Sequence, residues 1–344
     1  MTFRLLITAT FFLISHLVHA DTESSKLKPL AHFDKYSRVG YNDIWGYTDP
    51  AGREFALLGL VNGLSVIDIN DTANLREIAY FPGQDSSWRD IKTYKHYAYV
   101  VNESGGGMQI IDLSQLPQKA TLAATYTGFQ TSHNLYIDED TGLLFAEGTD
   151  AMPVRILSLA DPVQPKQIAT LGVECHDIYA RNGMLFVSEG GHGTIGVFDY
   201  TDPAHPKFKY RFEIPNAGYV HNAWQSDDGD YLMTTEETTN KTIKMWDIRN
   251  PSKVKLVGEY LAGNGLAHNT HIKGNYAYIS HYGSGLRIVD ISNPTNLREV
   301  AHFQKPGATP RGFKGAWGAF PFFASGKVLL SEIETGLYVL EHHP

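Results

Sequence analysis

Four of the fifteen histidines recur at nearly even intervals, and each opens a short segment of alternating residue types. They are His133, His176, His221 and His268. Subtracting the residue numbers gives intervals of 43, 45 and 47 residues. A repeated fold would bring side chains at such intervals to one place, and imidazoles combined with carboxylates suit Zn, Mn or Fe. The spacing therefore makes these histidines candidate metal ligands.

A second set of polar residues lies at the end of the strand that follows each histidine segment. The set comprises Glu147, Glu189, Glu236, His281 and Glu332, with Asn102 at the matching position. If the repeated strand pairs form a ring around a central channel, both sets of residues should lie at the same end, or mouth, of that channel. The reason is that the first strand of each pair starts where the second strand ends. In a metal-dependent enzyme, Glu189 or Glu236 would be a ligand or the general base.

The elements that must position these residues come from an internal repeat. Its clearest copy is GLRIVDISNP, beginning at Gly285, followed by LREVAHF. Cognate copies begin at Gly63, Gly107, Pro153, Thr194 and Thr242. Each copy predicts a strand, a turn rich in Asp, Asn and Pro, and a second strand. The histidine segments add another strand pair between copies, which gives four strands per repeat.

The repeat length predicts an all-β propeller with seven blades. Extending the histidine alignment in both directions adds Asn42, Arg89 and Lys314, so seven positions recur at 43 to 47 residues. Four-stranded units at roughly 40 to 50 residues are typical of propeller blades. The last copy, Gly336–Leu340, leaves no room for an outer strand, whereas Pro29–Phe33 resembles the outer strand Glu299–Phe303. We therefore predict that an N-terminal strand closes the ring in the last blade.

The unit GLRIVDISNPTNLREVAHF resembles the LVIVD repeat. The chain after its first twenty residues is similar to the exported, LVIVD-containing choice-of-anchor B family. This resemblance implies a secreted or surface-associated propeller and brings no established catalytic activity with it.

Residues 1–20 have the pattern of a signal peptide. Arg4 precedes an apolar run, Leu5–Val18, and Val18-His19-Ala20 places small residues at the cleavage positions. We expect a mature chain from Asp21, a single domain over 21–344, and a periplasmic or extracellular location. The apolar run is short for a bilayer of roughly 30 Å, so we expect no transmembrane anchor.

Composition and residue positions argue against nucleic-acid binding, disulfide bonding and cysteine-based catalysis. The net charge is −8 and lysine and arginine are not clustered, which argues against a nucleic-acid partner. Cys175 is the only cysteine, so no internal disulfide can form. It adjoins His176, but neighbours on a strand point to opposite faces, which argues against a nucleophilic dyad.

Channel geometry limits how the histidines can act. Sheets packed roughly 10 Å apart would place seven inner strands on a ring of about 7 to 11 Å radius. A histidine side chain reaches about 6 Å, and Zn–N bonds are about 2.0–2.1 Å long. A single ion bound by all four histidines requires a narrow channel. Two neighbouring histidines and a glutamate form a site more easily.

Three interpretations of the channel mouth stay open. The leading one is a non-catalytic platform that binds a protein, peptide or glycan through the mouth and top loops. Trp45, Trp224 and Trp317 would then stack on a ligand, or they would wedge between blades. The second is a metal-dependent hydrolase or oxidoreductase. In the third, the histidines repeat a structural role, as hydrogen-bond partners of a neighbouring blade or of channel water.

Overall fold

The computed structural model describes residues 23–263, 266–305 and 312–343; the predicted signal peptide lies outside them. The described residues form 29 strands and one short 3₁₀ helix, Pro251–Lys253. The strands make seven antiparallel sheets arranged in a ring. The predicted all-β, seven-bladed propeller is confirmed.

The first four blades follow one another along the chain. Blade 1 contains β3 (Tyr41–Thr48), β4 (Glu54–Leu60), β5 (Gly63–Asp68) and β6 (Arg76–Pro82). Blade 2 contains β7 (Arg89–Tyr94), β8 (Tyr97–Asn102), β9 (Met108–Asp112) and β10 (Thr121–Tyr126). Blade 3 contains β11 (Asn134–Asp138), β12 (Leu143–Thr149), β13 (Met152–Ser158) and β14 (Lys166–Leu171). Blade 4 contains β15 (Ile178–Arg181), β16 (Met184–Ser188), β17 (Thr194–Asp199) and β18 (Lys207–Glu213).

The last three blades include both N-terminal strands. Blade 5 contains β19 (Val220–Gln225), β20 (Tyr231–Glu236), β21 (Ile243–Asp247) and β22 (Lys255–Tyr260). Blade 6 contains β23 (Thr270–Lys273), β24 (Tyr276–Ser280), β25 (Leu286–Asp290) and β26 (Arg298–Gln304), with β1 (Glu23–Ser25) paired to β26. Blade 7 contains β27 (Ala316–Phe320), β28 (Lys327–Glu332), β29 (Gly336–His342) and β2 (Leu27–Phe33).

The core lies between the blades. Seven clusters of buried hydrophobic side chains in the described residues each join one blade to the next around the ring. The second strand of a blade is covered on both faces, so β4 is buried at every position, as the apolar run that follows Glu54 requires. Aromatic side chains fill these interfaces, as between Phe145 and Tyr200, whose ring centroids are 5.3 Å apart.

The aspartate that ends most copies of the repeat has a structural role. In β5 and β25, for example, Asp68 and Asp290 each accept a hydrogen bond from the backbone N–H two residues later, which shapes the turn to the outer strand. The pairing of third and fourth strands also contains a register shift in all seven blades. Such bulges increase the local twist of a sheet.

The ring closes as predicted, because β2 is the outer strand of blade 7. It pairs antiparallel with β29 and carries the same bulge, between Pro29 and Ala31. Leu27 is 2% exposed and packs in the cluster between blades 6 and 7. A buried Glu54 carboxylate also joins blade 1 to blade 7, since it accepts hydrogen bonds from Ser325 and Lys327.

Within the ranges that the structure covers, no helix has the length and apolar character needed to cross a membrane.

Candidate metal centre at the channel mouth

The four predicted histidines meet at one mouth of the channel. Each lies at or just before the start of the innermost strand of its blade, so the repeat places them at one level. The ring centroids of His133 and His176 are 4.5 Å apart, those of His176 and His221 are 3.9 Å apart, and those of His221 and His268 are 4.5 Å apart. The channel is therefore narrow enough for neighbouring imidazoles to touch.

The equivalent position in blade 7 is occupied by Trp317, three residues later than the predicted Lys314. Trp317 lies at a register shift opposite Glu332 and Ser331, as His221 lies opposite Glu236 and Thr235. Its ring centroid is 4.9 Å from that of His268. The segment between His268 and β27 is longer than the corresponding segments of the other blades. Counting a fixed interval from His268 therefore ends at Lys314, three residues before the equivalent position.

Asp177 joins His176 to His221. One carboxylate oxygen is 3.0 Å from Nδ1 of His176, and the other is 3.8 Å from Nδ1 of His221. The side-chain amides of Asn134 and Asn222 donate hydrogen bonds to the same carboxylate, the latter at 3.0 Å. Asp177 is thus held in place by the blades on either side.

Glu237 lies on the other side of His221. Its Oε1 is 3.8 Å from Nε2 of His221 and accepts a hydrogen bond of 2.5 Å from the Tyr282 hydroxyl. His268 donates from Nδ1 to the carbonyl of Trp317 at 2.5 Å. This arrangement fixes the tautomer and leaves Nε2 with its lone pair, as is usual for a metal-ligating histidine.

Two sets of three donors result, and they share His221. One set is His176, Asp177 and His221, and the other is His221, Glu237 and His268; within each set the donor atoms lie within 4.8 Å of one another. Each set has two neighbouring histidines and one carboxylate. A site of this kind was expected from the estimated radius of the channel, which makes a single ion bound by all four histidines difficult. The donor chemistry matches that of catalytic zinc sites with three protein ligands.

Burial sets the protonation of these groups. Burial, reinforced by the neighbouring His176 and His268, holds the pKa of His221 well below its usual value. Burial lowers the pKa of His268 to about 4. For Asp177, burial acts to raise the pKa, but the adjacent His176 lowers it overall. The neutral imidazoles of His221 and His268 and the ionised carboxylate of Asp177 are the forms that bind a metal.

His133 has a different partner. Its Nδ1 is 2.6 Å from Oε1 of Glu103, and its side chain remains 20% exposed. Burial acts to lower the pKa of His133, but the hydrogen bond to Glu103 and the charge of Asp177 raise it overall. It belongs to neither set of three donors. It is therefore the histidine of the cluster best placed to exchange protons.

The residues predicted at the ends of the second strands have other partners. Glu147 accepts a hydrogen bond from the N–H of Ile178 and so joins blade 3 to blade 4. The Glu189 carboxylate is held by Arg211 at 2.5 and 2.6 Å.

Three further predicted residues are also engaged away from the histidines or buried elsewhere. Lys244 pairs with Glu236. Glu332 accepts hydrogen bonds from its own loop, including one of 2.7 Å from Thr335. Both ring nitrogens of the buried His281 lack a hydrogen-bond partner among the described residues.

The carboxylates that reach the histidines are those that sequence reasoning passed over. Glu103 and Glu237 each come one residue after a predicted position, Asn102 and Glu236. Successive side chains of a strand point to opposite faces, so a shift of one residue decides which carboxylate reaches the mouth. The third, Asp177, follows His176 directly. The sequence did contain a sign of these carboxylates, because each of the three acidic residues directly follows a predicted residue.

Comparisons with known proteins agree with this fold. The model of the LVIVD repeat matches residues 87–127 and 264–304. These two segments are therefore similar to the LVIVD repeat. No curated protein matches it.

Solved structures similar to this propeller share its fold at low identity. Raptor from Chaetomium thermophilum aligns with a TM-score of 0.69 at 12% identity; the match covers 93% of this chain but only 30% of that one. A putative 6-phosphogluconolactonase from Bacteroides uniformis aligns with a TM-score of 0.59 at 17% identity, covering 75% and 85% of the two chains. A protein from Lactobacillus plantarum aligns with a TM-score of 0.61 at 14% identity, covering 85% and 88%.

Aromatic side chains surround the histidine mouth of the propeller. Tyr219 packs edge-on against His176, with ring centroids 5.4 Å apart. Trp88 lies beside Trp317 at 6.4 Å, and Phe313 lies beside Tyr282 at 5.5 Å. Trp88, Tyr219 and Phe313 are 43%, 39% and 59% exposed. Exposed rings of this size are typical of a binding surface.

A layer of aromatic side chains fills the channel farther from the histidines. Trp224 packs against His271 and Phe322, with ring centroids 4.7 and 5.6 Å away, and Trp45 lies 5.9 Å from His271. A cavity of about 270 Å³ adjoins this layer and is lined by Trp45, Trp224 and acidic and basic residues, among others. Of the three predicted tryptophans, therefore, only Trp317 is at the histidine mouth.

Cys175 is half-buried and packs with the hydrophobic cluster between blades 3 and 4. Burial raises the pKa of its thiol well above the usual value. A protonated thiol is a poor nucleophile, which agrees with the expectation that Cys175 and His176 do not form a dyad.

Replacing His271 with phenylalanine is expected to stabilise the protein in acid. Burial, together with the charge of Lys92, lowers the pKa of His271 to about 3. As the pH falls below 6.5, the unfolded chain therefore gains a proton that the folded chain does not bind, and stability is lost down to about pH 3. At pH 5 this loss is about 2 kcal/mol.

Phenylalanine keeps the ring that packs on Trp224 and removes the titration. We expect the free energy of unfolding of His271→Phe to fall about 2 kcal/mol less than that of the wild type between pH 7 and pH 5, measured by urea denaturation. His205→Gln, at an exposed position, is the control and should follow the wild type. Equal acid sensitivity of wild type and His271→Phe would contradict the assignment.

Proposed function

We propose that this chain is an exported, metal-dependent hydrolase whose site is the histidine cluster at the channel mouth. The observation that carries the proposal is the contact of three buried histidines, His176, His221 and His268, with two carboxylates that have no lysine or arginine partner among the described residues. In the described structure the nearest partners of Asp177 and Glu237 are amides, a tyrosine and these imidazoles. A divalent cation would balance this charge.

The donor set limits the chemistry. Two imidazoles and one carboxylate leave at least one position open on Zn, Mn or Fe, and an ion held in this way lowers the pKa of a bound water and polarises a substrate oxygen. His133, oriented by Glu103 and adjoining His176, is the general acid–base candidate. A metal ion, its bound water and the acid–base His133 together suit hydrolysis of an ester or related acyl bond.

A test compares metal content and turnover in the same samples. Protein purified from the exported fraction without chelator is analysed for metals and assayed on a panel of aryl esters, lactones and phosphoesters. We expect near-stoichiometric metal and turnover in the wild type, no metal in His176→Ala/His221→Ala, and metal without turnover in His133→Gln. Circular dichroism establishes that each variant is folded. A wild type without metal, even after supplementation with Zn²⁺, Mn²⁺ or Fe²⁺, overturns the proposal.

A second candidate function is a non-catalytic platform that binds a protein, peptide or glycan at the same mouth. The exposed rings of Trp88, Tyr219 and Phe313 favour it, because rigid aromatic side chains are common in binding surfaces. Two results together would favour this function over hydrolysis. The metal-loaded wild type would turn over no substrate of the panel but would bind an immobilised peptide or glycan, and the Trp88→Ala variant would no longer bind it.

We also propose that the chain is exported and belongs to the choice-of-anchor B family, which suits both functions. The pattern of residues 1–20 supports a signal peptide, and the repeat units support membership of the choice-of-anchor B family. Intact mass of the protein from the periplasm or the medium tests export. We expect a chain that starts at Asp21, and a full-length chain confined to the cytoplasm would contradict it.

A further inference from the structure

His221 presents its two ring nitrogens to two different sets of ligands. Its Nδ1 is 3.8 Å from Asp177, and its Nε2 is 3.8 Å from Glu237. His176 belongs to the first set and His268 to the second, and the rings of both touch the ring of His221. The two carboxylates thus lie on opposite sides of one imidazole.

Hydrogen bonds do not account for this arrangement. A separation of 3.8 Å exceeds the distance of an N–H···O hydrogen bond. His221 is 1% exposed, and its Nδ1 has no hydrogen-bond partner in the described parts of the chain. Leaving a buried polar atom without a partner costs about 1–3 kcal/mol. A single ion would satisfy one nitrogen and leave the other facing a carboxylate.

The surroundings of each carboxylate differ in a way that fits two separate ions. Asp177 receives hydrogen bonds from Asn134 and Asn222. Glu237 receives one from Tyr282. Each carboxylate is therefore oriented by its own partners, as ligating carboxylates usually are. The two sets share only the imidazole of His221.

We propose that the mouth binds two divalent transition-metal ions bridged by the His221 side chain; this inference rests on the proposed metal site and goes beyond it. One ion is held by His176, Asp177 and Nδ1 of His221, and the other by Nε2 of His221, Glu237 and His268. Binding of the second ion breaks the remaining ring N–H bond, the proton leaves to water, and the imidazolate binds both ions through its lone pairs. With bonds of about 2.0–2.1 Å, the ions are on the order of 6 Å apart.

The bridge has a chemical consequence. Each ion has three protein ligands and therefore an open position for water or substrate. A substrate oxygen can bind one ion while water is activated on the other; the ions lie farther apart than the roughly 3.5–4 Å of two-metal sites that share a bridging oxygen. The substrate class that fits is a carboxylic or phosphoric ester whose carbonyl or phosphoryl oxygen binds one ion and whose carbon or phosphorus faces the water on the other.

The test counts ions and measures their coupling. Apo-protein is titrated with Zn²⁺ and, separately, with Cu²⁺, and bound metal is measured after removal of excess ion. We expect two ions per chain in the wild type, one in Asp177→Asn, one in Glu237→Gln and two in the control His133→Gln. The Cu²⁺-loaded wild type should show exchange coupling in electron paramagnetic resonance, whereas the single-site variants should show an isolated Cu²⁺ signal.

The outcomes separate this inference from the proposed function. One ion per wild-type chain overturns the bridge and leaves the metal site intact. Two ions without exchange coupling also overturn the bridge. No bound ion overturns both proposals. If Glu237→Gln does not fold, His268→Gln takes its place, because it removes a ligand from the same ion.

Discussion

A chain that begins at Asp34 is expected to lose its cooperative fold. This truncation removes β2, which is the outer strand of blade 7 and covers the edge of β29. It also removes Leu27 from the core between blades 6 and 7, and truncating a buried leucine alone costs about 2–5 kcal/mol. Loss of the whole strand therefore approaches the total stability of a domain, about 5–15 kcal/mol.

The matched control is a chain that begins at Lys26. It loses β1, which pairs only at the outer edge of blade 6, and keeps β2. We expect this shorter truncation to melt as cooperatively as the chain that begins at Asp21, measured by circular dichroism and calorimetry. A peptide of residues 26–34 added in trans should restore folding to the chain that begins at Asp34, because it replaces the missing strand. A cooperative, unshifted transition without β2 would contradict ring closure by this strand.

Removing the proposed metal ions is expected to lower the melting temperature of the protein by several degrees. A ligand that binds only the folded state stabilises it by about 4 kcal/mol at a free concentration of 1,000 times Kd. For a chain of this size that corresponds to on the order of 5–10 °C. The expectation follows from the two buried donor sets, which exist only when blades 4, 5 and 6 are assembled. Differential scanning calorimetry with Zn²⁺ and with chelator measures the shift.

Variants localise this effect. His176→Gln/His221→Gln should melt at the same temperature with Zn²⁺ and with chelator, because both donor sets are broken. His133→Gln removes an imidazole from the same mouth but from neither set, so it should keep the full shift. Identical melting of the wild type with and without Zn²⁺, Mn²⁺ or Fe²⁺ would contradict a structural contribution of metal.

The fold could be predicted from the sequence because its signals are local and repeated. Period-two alternation predicts strands, the Asp and Asn turns separate them, and a unit of 43 to 47 residues allows four strands. The closing strand could be predicted from the similarity of Pro29–Phe33 to Glu299–Phe303. The additional pairing of β1 with β26 could not, because no copy of the repeat contains a fifth strand.

The candidate site could be predicted only in part. The histidines were found because they occupy one position of the repeat, and their meeting at the mouth follows from that position. The carboxylates were not, because the choice between Glu236 and Glu237 depends on the bulge at His221. The position of Trp317 likewise depends on the register of β27 and β28, which residue counting across a loop does not reveal.

The sequence alone determined the propeller, its seven blades, its closing strand and the level at which four histidines stand, because each is a property of a repeat read along the chain. The tertiary structure decided which side chains share that level. Seven converging strands bring Asp177 and Glu237 to opposite nitrogens of His221, while Glu189 and Glu236 turn to Arg211 and Lys244. The physical reason is that the distance between groups on different blades depends on strand register and ring radius, which only packing fixes.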